Sequence, residues 1–360
     1  MSDLLMVAGG GTGGHIYPAI AIAKEYLGRG DRRVVFVGTE YGLEKKLVPA
    51  AGYPLEFVRV GGLKGKSLGQ TLRNLARLPL GFLDAWRLIS RYRPVAVLGV
   101  GGYASGPVVM IAALRGIPTL IHEANAFPGL TNRILGRVVR TIAVGFPKAI
   151  EQFRGKGITT GNPVRAEFFE AAARPRARGE RARLLVFGGS QGSKILNDTM
   201  VAALPHLAGA RGRLEIVHQT GPANLEAVAA AYAASPFADA RVVAYLDPMA
   251  DEMAAADLVI SRAGAMTVGE LAAVGRPAIL VPFAAATNNH QEFNARALES
   301  AGGALVITER ELTPERLAAA IAELSSSPAK LEAMGAAQRR VARPDATGSI
   351  VDLIEGFDAK

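Results

Sequence analysis

Five glycines in six residues, Gly9-Gly10-Gly11-Thr12-Gly13-Gly14, follow the apolar run Met6-Val7-Ala8 and lead directly to His15. Glycine lets the backbone take positive φ and approach a ligand closely, and a helix beginning near Pro18 would aim its N–H groups and positive dipole end back at the loop. The arrangement suits an anion, with a titratable imidazole at its edge. Gly9, Gly11 and Gly14 also satisfy the dinucleotide pattern G-x-G-x-x-G, but the acidic residue that would hold a ribose has no clear position, since Asp31 precedes the second strand and Glu40 lies beyond it. A histidine at a helix start also serves for packing or capping, so the loop by itself leaves the role of His15 open.

Further segments carry groups of the same kind. Gly188 to Ser193 follows a second apolar run and offers backbone N–H groups with the hydroxyls of Ser190 and Ser193, which suit phosphate or a plain tight turn. Ser261 to Glu270 is a small-residue loop feeding a helix, with Glu270 expected in the first turn; a carboxylate there accepts two ribose hydroxyls or simply complements the helix dipole. Asn288, Asn289 and Gln291 bring amides that hydrogen-bond sugar hydroxyls or cap a helix. In the first half, Gly99 to Pro107 and His122 to Gly129 close expected strands and would line the same mouth as Gly9 to His15.

No Asp-x-Asp or H-E-x-x-H motif occurs and the five histidines are scattered, so neither a metal nor another cofactor is expected. An enzyme that expels a diphosphate without a metal must stabilise it with helix dipoles, backbone N–H groups and arginine. The absence of cysteine excludes disulfides and thiolate chemistry. The 360 residues, 49% hydrophobic, suffice for two globular domains. No apolar run reaches the roughly 18 residues of a membrane span, and the first residues do not read as a signal peptide, so the expectation is a cytoplasmic protein, free or surface-bound. The net charge of +9 is divided unevenly, residues 1–165 carrying 22 Lys and Arg against 9 Asp and Glu. Such a half faces something anionic, and without interleaved aromatics a lipid or phosphate-bearing substrate is preferred to nucleic acid.

The elements that must position these groups appear as apolar runs alternating with helical stretches. The first series is 4–7, 34–37, 95–98, 119–122 and 141–144; the second is 184–187, 214–218, 242–245, 258–261, 278–281 and 304–307. This spacing predicts an α/β protein of two tandem Rossmann-like domains with parallel sheets facing across a cleft, each with its glycine loop at the carboxyl edge. The boundary falls near residue 165, giving domains 1–165 and 166–343, and a short amphipathic helix within 344–360 is expected to bridge the two or pack back on the first. Between Gly62 and Pro94, Leu75, Arg77, Leu78, Phe82 and Trp86, with Lys64, Lys66, Arg73, Arg87 and Arg91, mix bulky apolar side chains with cations. They fit a face that sinks into a bilayer while its cations meet anionic headgroups, or a core helix with a solvated basic side. Pro79 and Gly81 are expected to interrupt that helix.

Taken together, Gly9–His15, Gly101–Pro107, His122-Glu123, Pro128–Asn132, Gly161–Arg165, Gly188–Gly192, Ser261–Ala265 and Asn289–Gln291 closely resemble the signature segments of the MurG family, bacterial N-acetylglucosaminyltransferases of glycosyltransferase family 28. The resemblance runs over nearly the whole chain. It implies the GT-B fold and inverting transfer of N-acetylglucosamine from UDP-N-acetylglucosamine to the C4 hydroxyl of undecaprenyl-diphosphate-linked N-acetylmuramyl-pentapeptide, converting lipid I to lipid II in peptidoglycan synthesis. It also implies His15 as the base, with Thr12, Gly13 and Gly14 shaping the acceptor side and meeting the donor. Asn125 and Arg165 would contact the donor, Ser190 the diphosphate, and Leu246 the uracil through its backbone. Ala265, Met266, Thr267, Val268 and Gly269 would approach the nucleotide, Glu270 would hold the ribose, and Gln291 the transferred sugar. The implied partners are UDP-N-acetylglucosamine, lipid I, an anionic membrane surface at the cytoplasmic face of the cell membrane and other cell-wall synthesis proteins, with no nucleic acid. Ala124 stands where the family commonly has Gln, and Gly269 where Ser is common. Two classes compete: another GT-B UDP-sugar enzyme, either a soluble-acceptor transferase or an epimerase, and a non-catalytic binding protein. An epimerase has no evident use for the segment around Trp86, and a binding protein would not need His15.

Overall fold

The computed structural model describes residues 3–61, 68–175 and 179–357, with 68–76 described by backbone only. Lys64, Lys66 and the side chains of Arg73 and Leu75 therefore lie outside the described residues. The chain divides into two compact units, Met1–Val164 with Asp345–Lys360, and Arg165–Pro344.

In the first unit, β1 (Leu4–Ala8), β2 (Arg33–Gly38), β3 (Leu55–Phe57), β4 (Ala96–Gly99), β5 (Thr119–Glu123), β6 (Thr141–Val144) and β7 (Ile158–Thr159) form one parallel sheet, ordered β3-β2-β1-β4-β5-β6-β7. The edge strands β3 and β7, three and two residues long, are too short to leave a periodic signal. Alternation along β1 sends Leu4, Met6 and Ala8 into one core and Leu5 and Val7 into another. A sheet covered on both faces needs such an unbroken apolar run.

The covering helices are α1 (Gly13–Gly28), α2 (Glu44–Ala50), α3 (Leu68–Tyr92), α4 (Ser105–Leu114) and α5 (Leu130–Leu135). Two expectations are corrected here. Helix α1 starts at Gly13 rather than near Pro18, because the N–H groups of His15 and Ile16 both donate to Thr12 O and close the turn earlier. Helix α3 runs unbroken through Pro79 and Gly81. Pro79 is exposed, so its missing hydrogen bond falls on the solvent side. Gly81 is a contact rather than a break, since a Cβ there would lie 2.4 Å from Val60 Cγ1.

The second unit holds β8 (Ala182–Phe187), β9 (Leu214–Gln219), β10 (Arg241–Val243), β11 (Leu258–Ser261), β12 (Ala278–Leu280) and β13 (Ala304–Val306), all parallel, ordered β10-β9-β8-β11-β12-β13. Around it lie α6 (Ala166–Ala173), α7 (Lys194–Ala203), α8 (Leu225–Ala233), α9 (Met249–Ala255), α10 (Ala265–Val274), α11 (His290–Ser300), α12 (Pro314–Ser325) and α13 (Pro328–Val341).

The last helix, α14 (Ala346–Glu355), belongs to the first unit. It buries Ile350, Val351 and Ile354 in the same core as Ile16, Ile22 and Tyr26 of α1, while Arg29 pairs with Asp352 and Glu355, and Arg32 with Glu355. The Asp352 carboxylate is mostly exposed, and an exposed salt bridge contributes at most about 1 kcal/mol, so apolar burial outweighs that pair. Ile350→Ala is therefore expected to lower stability by about 2–5 kcal/mol, read from the urea midpoint, while Asp352→Ala changes it by no more than about 1 kcal/mol.

Candidate active site

Each sheet reverses its winding direction once, between β1 and β4 in the first unit and between β8 and β11 in the second. In each unit the two loops after these strands flank that sheet's own crevice at its carboxyl edge, the place where open α/β sheets bind ligands. They are Gly9 to Thr12, Val100 to Ala104, Gly188 to Ser193 and Arg262 to Gly264.

In the first unit, His15 sits in the first turn of α1, half-buried, with Nδ1 3.0 Å from Gly10 O. A carbonyl only accepts, so Nδ1 carries the proton and Nε2 of the neutral ring carries the lone pair. The β4 loop lies beside this nitrogen. Gly101 has φ +95° and a Cβ there would stand 3.1 Å from Nε2, so only glycine leaves that face of the ring uncovered. Buried Ser105 ties the two loops together, donating to Ala8 O at 2.6 Å and accepting from Gly101 N–H at 3.2 Å.

The β5 loop is organised by a buried carboxylate. Glu123 accepts from Asn125 N and Nδ2, Gly129 N and Asn132 Nδ2, at 2.9–3.1 Å. Asn125 is thereby fixed in place. His122 differs from His15: burial pushes it down to about 4, and its Nε2 lies 3.4 Å from Gly161 O. It stays neutral and inside the fold.

In the second unit, Gly188 to Ser193 leads into α7, and Gly264 caps α10, whose first turn contains Ala265, Met266 and Thr267. The opening N–H groups of these two helices have no acceptor within the helix, and each helix directs its positive dipole end at the crevice. Ser190 is exposed in the first of these loops. Two residues that the sequence reading did not single out for this role hold the frame. Gln219, buried at the end of β9, donates through Nε2 to Gly189 O and accepts the Leu246 N–H through Oε1, both at 2.9 Å. Only the carbonyl of Leu246 is then left for a ligand. Arg262 donates to Ser193 Oγ and Val281 O and pairs with Glu309. The signal for Gln219 was a polar residue closing an apolar strand.

Glu270 lies in the second turn of α10 rather than the first, as its position six residues into Ala265–Val274 shows. Dipole complementation, which fades beyond the first turn, does not account for it. Burial raises its carboxyl to about 7 against the opposing pull of Arg165, whose Nη2 lies 3.6 Å from Oε1. Val268 is buried and Gly269 half-buried. The Gln291 carbonyl accepts from Ala263 N and Phe283 N at 3.2 and 3.0 Å, which orients its NH2 as the outward group. Among the described residues no group of three His, Cys, Asp or Glu is placed to hold a metal ion.

On α3 the apolar residues divide. Leu78 and Phe82 pack partly against the core, while Leu80, Leu83 and Trp86 are exposed and Arg77 is solvated. Leu114, 74% exposed at the end of α4, adds to the outward set, and Arg115 stacks over Trp86 at 4.8 Å. Among the described residues no helix is long and apolar enough to cross a membrane.

Two parallel α/β units of this order, each with helix N-termini and polar loops at its switch point, define the GT-B architecture. Residues 5–144 match the glycosyltransferase family 28 N-terminal domain and residues 183–349 the family's C-terminal domain, and the chain belongs to glycosyltransferase family 28. It is 49% identical, over 97% of its length and 91% of the relative's, to the UDP-N-acetylglucosamine--N-acetylmuramyl-(pentapeptide) pyrophosphoryl-undecaprenol N-acetylglucosamine transferase of Anaeromyxobacter sp. (strain K). The crystal structure of Acinetobacter baumannii MurG superposes with a TM-score of 0.82 at 32% identity, covering 98% of this chain and 99% of that one. A putative UDP-N-acetylglucosamine 2-epimerase from Listeria monocytogenes, 16% identical with a TM-score of 0.70 over 100% of this chain and 98% of its own, shares the fold alone.

Glu270 makes stability depend on pH with a definite sign. Its folded carboxyl titrates at about 7 against 4.5 for the ordinary group, so the folded state holds the proton longer and stability falls as pH rises from about 4.5 to 7. Glu270→Gln is expected to remove roughly 2–3 kcal/mol of that fall, measured by urea denaturation at pH 5, 6 and 7.5.

Proposed function

We propose that the chain transfers N-acetylglucosamine from UDP-N-acetylglucosamine to the C4 hydroxyl of lipid I, forming lipid II with inversion at the anomeric carbon. The second unit takes the donor: Glu270 accepts the ribose hydroxyls, Leu246 O meets the uracil, Gln291 Nε2 reaches the sugar, and Arg165 stands beside Glu270. As the bond to UDP breaks, negative charge grows on the diphosphate. Ser190, the Gly188 to Ser193 loop and the first turn of α10 supply N–H dipoles and hydroxyls for it. In the first unit, His15 Nε2 takes the C4 proton as that oxygen attacks the anomeric carbon. Thr12, Gly13 and Gly14 shape the acceptor side, with Asn125 a further donor contact.

The observation that carries this reading is the hydrogen bond from His15 Nδ1 to Gly10 O, which leaves Nε2 as an unblocked acceptor beside Gly101. The exposed set Leu80, Leu83, Trp86 and Leu114, with Arg77, Arg87 and Arg115, supports docking on an anionic membrane surface, where a polyprenyl-linked acceptor resides. A soluble-sugar epimerase has no use for such a face.

His15→Ala is expected to lower transfer from labelled UDP-N-acetylglucosamine to a lipid I analogue at least about a hundredfold with donor affinity near normal. Retained turnover would remove His15 from the chemistry. Transfer by the unaltered protein should survive EDTA, and loss of activity that Mg2+ restores would defeat a leaving-group role for dipoles alone. Leu83→Glu with Trp86→Glu should weaken cosedimentation with anionic vesicles by about tenfold or more, and unchanged binding would sink the membrane face.

A further inference from the structure

The first glycine loop has an anchor that the reaction does not touch. Glu44, at the start of α2, is buried to 1% exposure, and its carboxylate has no basic partner among the described ion pairs. Its partners are three donors instead. Oε2 accepts the Gly11 N–H at 2.8 Å, and Oε1 accepts Thr39 N–H at 2.9 Å and Thr39 Oγ1 at 2.8 Å. The space around the carboxylate exists because three neighbours lack side chains: a Cβ on Gly10, Gly38 or Gly42 would fall 2.3, 2.5 or 2.0 Å from an atom of Glu44. Burying a carboxylate costs several kcal/mol unless hydrogen bonds replace its water, and these three donors supply that replacement, one on Oε2 and two on Oε1.

What the anchor fixes is the peptide unit joining Gly10 to Gly11. The N–H of that unit donates to Glu44 and its C=O, on the opposite side, accepts from His15 Nδ1. N–H and C=O of one planar trans peptide point in opposite directions, so holding one aims the other. We propose that Glu44 is a positioning residue for His15, setting the direction of the Gly10 carbonyl and through it the ring tautomer that leaves Nε2 unprotonated. The inference rests on the reading of His15 as the base. A free glycine peptide would turn at little steric cost, and a ring without its acceptor divides between two tautomers, one of them with Nε2 blocked.

Glu44→Gln tests this at constant volume. With Oε1 facing the two Thr39 donors, the new NH2 confronts the Gly11 N–H, donor against donor, and the peptide is released. Glu44→Asp keeps the charge but withdraws it by one methylene. Thr39→Val removes one donor without touching Gly11 and serves as the control. Two-bond proton–nitrogen spectra of 15N-histidine protein, with His15 assigned from a His15→Gln spectrum, report which ring nitrogen bears the proton.

The expected result is an Nδ1–H ring in the unaltered protein and in Thr39→Val, and a mixed or Nε2–H ring in Glu44→Gln. The latter should come with a fall in kcat of about a hundredfold and an unchanged KM for UDP-N-acetylglucosamine, with a smaller effect of the same kind in Glu44→Asp. Folded Glu44 variants that keep the Nδ1–H ring would overturn the proposal. Failure of both variants to fold would also overturn it, by assigning Glu44 to the fold alone. Full turnover in His15→Gln would instead retire the base reading, with the ring spectrum of Glu44→Gln still deciding the link between Glu44 and His15.

Discussion

Parallel pairing of a central strand with neighbours on both sides, β1 with β2 and β4, and β8 with β9 and β11, is the constraint on which the rest depends. A strand paired this way is buried on both faces and along both edges, which demands an uninterrupted apolar run and sends the next segment out at the carboxyl edge. At the switch point two such segments leave side by side, and the helices that follow them diverge to opposite faces. Backbone must then pass close to backbone. The contact of Gly102 with Gly10, where a Cβ would lie 2.4 Å from a carbonyl oxygen, is the direct consequence.

Loops of glycine have little side-chain packing of their own, and this protein stabilises them from beneath with buried polar groups whose hydrogen bonds are largely satisfied within the fold. Ser105 and Glu123 do so in the first unit, and Gln219 and Arg262 in the second. Ser105 and Gln219 each bind backbone groups of two different segments, Glu123 gathers two backbone N–H groups of its own loop, and Arg262 links the Ser193 hydroxyl to the Val281 carbonyl. The cost of burying them is offset only when several partners are present at once, so the loops are held in one arrangement rather than a family of them.

Three histidines illustrate how environment divides one side-chain type among roles. His218 accepts from the Tyr232 hydroxyl at Nδ1 and donates from Nε2 to Asn197 Oδ1, while burial pushes it down to about 4. His122 is pushed equally low by the same cause. Both are neutral struts of the interior. His15 alone of the three is half-exposed, fixed by a carbonyl at one nitrogen and open at the other.

Much of this was legible before any coordinates. The apolar runs marked eleven of the strands because a doubly covered parallel sheet requires them, and the order of glycine loops and amides identified the family. The sequence did not reveal the edge strands β3 and β7, too short to leave a periodic signal, the start of α1, set by two bonds onto Thr12 O, the continuity of α3 through an exposed Pro79, or the second-turn position of Glu270, which follows from α10 beginning at Ala265. Composition and spacing determined by themselves which groups the chain carries: a glycine loop after the first strand of each unit, a histidine after glycines, a basic half. Only the tertiary structure decided how that chemistry is aimed, which nitrogen of His15 is free, which end of Gln291 points outward, and that Leu83 rather than Phe82 faces solvent. Orientation is fixed by partners distant in sequence, such as Glu44 for Gly11 and Gln219 for Leu246, and spacing along the chain contains no record of them.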